Sequence, residues 1–107
     1  MQTHRQIDDR SLAMHRLIAE KIRRDPELLG RARATLQRWR GVVSSGAQPY
    51  LAEWEGLLDR GMDASLAVAV EESEHAAALR QCSPLACLLS NQERFAFLKA
   101  WGRGDEA

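Results

Sequence analysis

Three prolines, Pro26, Pro49 and Pro84, constrain this chain more than any other feature. A proline pushes the residue before it out of helical geometry, yet is at ease in the first turn of a new helix. Asp25 and Ser83, standing directly before two of them, are good helix caps. Between these marks the apolar residues recur every three or four positions, the period of a helix with one buried face. The expectation is an all-α fold, a compact orthogonal bundle of five or six helices in a single domain.

Taken in order, residues 7–24 carry Ile7, Met14, Ile18 and Ile22 on one face, with Leu12, His15 and Ala19 at its edge. His15 there is expected to be half-buried and hydrogen-bonded. Asp25 caps a second helix over residues 26–40, buried through Leu28, Ala32, Leu36 and Trp39 and ended by Gly41. Residues 41–48, GVVSSGAQ, are loop-like and form a candidate hinge. Pro49 opens a third helix, through about residue 59, with Tyr50, Leu51, Trp54, Leu57 and Leu58 inward; Trp39 and Trp54 are expected to fill the core. Asp63 caps a short helix over residues 64–70.

The stretch from Glu71 to Trp101 is the most strongly punctuated part of the chain. Glu71, Glu72 and Glu74 surround Ser73 and favour a helix N-terminus, although nothing between Val70 and Glu74 forbids one continuous helix. Ser83-Pro84 starts a short apolar, buried turn. Ser90-Asn91-Gln92-Glu93 has the form of a capping box, and opens a last helix that ends at Gly102. That helix carries Phe95, Phe97, Leu98 and Trp101, more apolar girth than a one-sided surface helix requires.

Net charge is zero over 107 residues, but it is unevenly placed. Residues 1–40 hold ten Arg or Lys against five Asp or Glu; residues 41–107 hold five against ten. The domain therefore divides into a basic helical pair (7–40), the loop, and an acidic, apolar half (49–102). Such asymmetry fits a nucleic-acid surface, or two halves that attract each other or a neighbouring copy. Arg31, Arg33, Arg38 and Arg40 are the candidate nucleic-acid-binding residues. A DNA-reading helix more often presents short polar side chains than the Ala, Leu and Arg found here.

No phosphate-binding loop, nucleophile elbow or HExxH motif is present, so the chain reads as non-enzymatic, with no cofactor. The one group with acid–base character is Glu71, Glu74, His75 and Arg80. His4, His15 and His75 are too far apart to suggest a metal site, and Cys82 and Cys87 are expected to be buried free thiols. No apolar run is long enough to span a membrane, and MQTHRQIDDR lacks the core of a signal peptide, so a cytoplasmic location is expected.

Three patches resemble small bacterial antitoxin-type proteins encoded in toxin–antitoxin-like gene pairs. They are Ser11-Leu12-Ala13-Met14-His15-Arg16-Leu17-Ile18; Ser73-Glu74 leading into Leu79-Arg80-Gln81-Cys82-Ser83-Pro84-Leu85-Ala86; and Leu89-Ser90-Asn91-Gln92-Glu93-Arg94-Phe95. The resemblance implies a module that binds and neutralises a toxin-like protein. The girth of the last helix and the opposed charges of the two halves make Phe95, Phe97, Leu98 and Trp101 the candidate partner-binding residues and a homodimer the expected assembly. The alternative is a small DNA-binding regulator working through the basic front helices.

Overall fold

In the computed structural model, residues 4–42 and 45–106 are described, with side chains from 5 to 42 and from 45 to 102. The elements run α1 (His4–Arg24), α2 (Leu28–Arg40), α3 (Gln48–Arg60), α4 (Met62–Ala69), α5 (Glu74–Gln81), a 3₁₀ helix (Pro84–Leu88) and α6 (Asn91–Glu106). There is no strand among the described residues, and the all-α bundle expected from the periodicity is what forms.

α1 buries His15, Ile18, Ala19 and Ile22, a stripe at helical spacing centred one position away from the expected one. His15 is thus not at the edge but 1% exposed. Against this stripe lie α4, α5 and the 3₁₀ helix, while α2 covers the other side of the 3₁₀ helix and packs along α3. The core is closed by leucines from every one of these elements: Leu28 and Leu36, Leu51 and Leu58, Leu66, Leu79, Leu85 and Leu88. Each such side chain, taken from water to the interior, stabilises the fold by about 1.5–3 kcal/mol before ordering costs. Trp54 is completely buried and donates from Nε1 to the Leu79 carbonyl at 2.8 Å, tying α3 to the end of α5.

Several boundaries differ from those read off the sequence. α2 begins at Leu28 rather than at Pro26, after a tight turn in which Leu28, Leu29 and Gly30 donate three residues back to Asp25, Pro26 and Glu27. The carbonyls of that turn, not a side chain of Asp25, satisfy the first amides. Gly61 alone joins α3 to α4, at φ +115°, so Asp63 lies inside the first turn of α4 and caps nothing. α4 and α5 are separate, because Ser73 accepts the Ala76 amide at 3.1 Å and restarts the helix. Ser83 does the same for the 3₁₀ helix through the Leu85 amide at 3.1 Å. α6 does not stop at Gly102 but continues to Glu106. Residues 43–44 of the candidate hinge lie outside the described residues; at its far side Gln48 Nε2 donates to the Arg40 carbonyl at 3.1 Å.

The uneven charge is used within the molecule. Arg16 pairs with Glu72 at 3.0 Å, Lys21 with Glu93 at 2.5 Å, Arg33 with Asp59 at 2.6 Å and Arg40 with Glu55 at 3.0 Å. Every one of these joins a base from the first forty residues to an acid from the remainder. The pairs Arg33–Asp59 and Arg40–Glu55 also fix α2 and α3 as antiparallel neighbours.

Candidate functional site

α6 is the one helix whose described side chains include no buried residue. Its first turn is anchored: Ser90 and Glu93 exchange amide-to-side-chain bonds at 2.9 and 3.1 Å, as the capping box requires, and Arg94 Nη2 donates to the Ala86 carbonyl at 2.8 Å. Beyond that turn its apolar residues meet little of the bundle. Phe95 is 73% exposed and Leu98 39%. Phe97 and Trp101, one turn apart, are half-buried and stack with ring centroids 6.1 Å apart. At about 100° per residue, Phe97, Trp101, Leu98 and Phe95 follow one another around roughly 160° of the helix surface. The four predicted partner-binding residues thus share one side of the helix, with Arg94 between Trp101 and Leu98.

The four candidate nucleic-acid-binding arginines do not form one set. Arg33 and Arg40 are held by carboxylates of α3, as above. Arg31 and Arg38, two turns apart, are exposed and border a cleft of about 390 Å³ with Thr35 and Cys87. Cys87 is exposed rather than buried, its thiol donating to the Pro84 carbonyl at 2.9 Å and lying 3.3 Å from the Thr35 hydroxyl. Cys82 is half-buried, and burial raises its pKa.

Glu71, Glu74, His75 and Arg80 are dispersed. His75 faces α3, with Nε2 2.7 Å from a Glu53 oxygen and its ring tilted against Tyr50. Glu71 turns instead to the Ser73 hydroxyl at 2.6 Å. Arg80 points the opposite way, into the bundle, where it is 5% exposed and Nη1 donates to the carbonyls of Glu71 at 2.8 Å and Ala69 at 3.3 Å. It satisfies the carbonyl end of α4, the end where a cation is favoured. Burial pulls its pKa down, and the Asp8 carboxylate pulls it back up.

Where α1 crosses α5, Arg80 meets His15, which sequence periodicity placed at a helix edge. The His15 Nδ1 atom lies 2.8 Å from the Ser11 carbonyl. Burial holds the His15 pKa down at about 4; the Ser11 bond works the other way, and the Arg80 charge reinforces the lowering. Two clefts flank this crossing. One, of about 600 Å³, has Asp8, Asp9, Glu72 and Glu74 on its walls with Arg5; the other, of about 370 Å³, has Arg10 beside the uncharged His15 and apolar side chains; Arg80 borders both. Among the described residues no three His, Cys, Asp or Glu converge as a metal site, and no helix is long and apolar enough to cross a membrane.

No protein-family model matches the chain, and neither does any curated protein or solved structure.

Proposed function

We propose that this protein is a non-enzymatic interaction module of antitoxin type, acting in the cytoplasm, that uses the apolar face of α6 to bind and neutralise a toxin-like protein. The observation that carries the reading is a well-capped helix with no buried side chain among those described and four large apolar residues on one face. An isolated helix of this length is marginal in water unless its apolar face is covered. Successive anchors at three-residue steps, Phe95, Leu98 and Trp101, suit a helix laid into an apolar groove of a partner. The resemblance of three patches to antitoxin-type proteins agrees with this. The competing reading, duplex DNA held by α2, is weakened by the engagement of Arg33 and Arg40 with α3, since affinity for DNA grows with the number of cations free to meet phosphates.

The test is co-purification with the protein encoded beside this gene, using the intact chain and a Phe95→Asp/Leu98→Asp double variant. The expected result is a stoichiometric complex with the intact chain, lost in the double variant while its helical circular dichroism is retained. A complex that survives the double variant, or none with the neighbouring protein, overturns the reading. A homodimer that is lost in the same variant, with no toxin-like partner bound, assigns the face to a second copy of the chain instead.

A further inference from the structure

We propose that the cleft between α2 and the 3₁₀ helix is a site of thiol–disulfide exchange, where Cys87 takes up one half of a small peptidyl disulfide with a carboxylate at each end, such as glutathione disulfide. Cys87 is exposed and borders this cleft, of about 390 Å³, together with Arg31, Ala34, Thr35 and Arg38. Arg31 and Arg38 are exposed and, unlike Arg33 and Arg40, have no carboxylate partner among the described residues. A volume of this size is within the range of small-ligand sites.

The spacing selects the ligand. Arg31, Thr35 and Arg38 stand at i, i+4 and i+7 on one face of α2, with about 10 Å of helix axis between the two arginines. Thr35 lies between them, and its hydroxyl is 3.3 Å from Cys87 Sγ. The sulfur is therefore held over the middle of a span that has a guanidinium at either end. An extended tripeptide is about 10 Å long. Glutathione is such a peptide, with its cysteine in the middle, one carboxylate at the γ-glutamyl end and another at the glycyl end. Laid along α2, it brings its sulfur to Cys87 while each carboxylate meets an arginine. Guanidinium forks match carboxylates in geometry as well as in charge.

The hydrogen bonds at the sulfur suit the reaction. Its single proton is donated to the Pro84 carbonyl at 2.9 Å, so the Thr35 hydroxyl is the donor in the second contact and stays with the sulfur once that proton leaves. In the step itself the Cys87 thiolate attacks the nearer sulfur of the disulfide. A bond forms from Sγ to that sulfur, and the bond between the two glutathione sulfurs breaks. The second glutathione departs as a thiolate and takes up the proton that Cys87 lost; the disulfide is itself the oxidant. Cys82 is half-buried and does not border this cleft. The site uses no residue of α6, so it stands or falls separately from the protein-binding reading.

The test is incubation of the reduced full chain with three reagents: glutathione disulfide, the uncharged disulfide of mercaptoethanol, and the disulfide of mercaptopropionate, whose carboxylates sit too close to sulfur to reach both arginines. Adduct formation is followed by intact mass, and the modified residue is mapped on peptides. The expected result is a single glutathionyl group on Cys87, absent in Cys87→Ser. The rate with glutathione disulfide, divided by that with the uncharged disulfide, should fall roughly ten-fold in Arg31→Ala/Arg38→Ala. Taking the ratio removes any change in the reactivity of the sulfur itself. Both arginines are exposed, so the double variant should keep the circular dichroism of the intact chain. Modification of Cys82 alone, an unchanged ratio in the double variant, or an equal preference for the mercaptopropionate disulfide would each overturn the proposal.

Discussion

Lys21 on α1 and Glu93 on α6 meet at 2.5 Å, and the Glu93 oxygen that takes this bond also accepts the Ser90 amide at 2.9 Å. One carboxylate therefore completes a helix cap and fastens that helix to the bundle. Lys21 extends the joint by donating to the Leu88 carbonyl at 2.8 Å, at the end of the preceding turn.

Opening this cap should loosen α6 before anything else. Ser90→Ala removes the acceptor for the Glu93 amide and is expected to cost about 1 kcal/mol in urea unfolding. Hydrogen exchange should accelerate first in the amides of α6. The amides of α1 and α3 should change only with global stability.

Acidification should destabilise the fold in two windows. The His15 pKa in the folded chain is about 4, below the ordinary 6.5, so the unfolded chain takes up the proton first. Its contribution is complete above about pH 6.5 and declines as pH falls toward 4, by about 3 kcal/mol in all. Glu93, lowered from 4.5 to about 2 chiefly by its bond from Lys21 and then by the Ser90 amide, contributes above its ordinary pKa. That contribution declines as pH falls from 4.5 toward 2. Unfolding midpoints measured from pH 8 to 2 should show both declines. His15→Phe should flatten only the upper one, and Glu93→Gln only the lower.

Trp54→Phe should cost about 2–3 kcal/mol. The ring loses part of its volume in a site with no exposure, and the Leu79 carbonyl loses the indole donor. The check is chemical denaturation, with an unchanged slope indicating that the same surface is still buried.

Gly61→Ala should cost about 1–3 kcal/mol although nothing stands within 4 Å of the added methyl group. The cost is wholly in the backbone, at φ +115° and ψ −178°, a conformation almost restricted to glycine. Gly56→Ala, equally uncrowded but within α3, should stabilise by up to about 1 kcal/mol. Opposite signs for two identical exchanges, read by thermal unfolding, isolate the effect of φ.

The helical class and most of the starts were legible because they rest on local chemistry. Ser73, Ser83 and the Ser90–Glu93 box act within three residues of themselves. What escaped was which of several local options the backbone takes, and which residues meet from far along the chain. Asp25-Pro26 looked like a cap and start, but tight-turn carbonyls took that role and moved the helix to Leu28. Gly102 looked like a stop, but α6 passes through it. Cys87 looked buried in an apolar run, yet a 3₁₀ turn of five residues has to leave one side outward, and Pro84, Leu85 and Leu88 occupy the inner side. The apolar girth of α6 was legible as composition; that no described side chain of it is buried was not. That His15 and Arg80 come together gave no signal, since 65 residues separate them and only the crossing of α1 and α5 brings both to one cleft.

Four ion pairs joining the first forty residues to the rest also make this chain two mutually recognising pieces. A cut within residues 41–47 would leave a fragment with a surplus of five positive charges and another with a matching negative surplus. Such fragments attract over a Debye length before any apolar surface meets. Each leaves the other's leucines uncovered, so neither has a complete interior alone. Mixed in dilute buffer they should reassemble into one fold, quickly at low ionic strength and slowly in concentrated salt; the covalent link is then a matter of effective concentration.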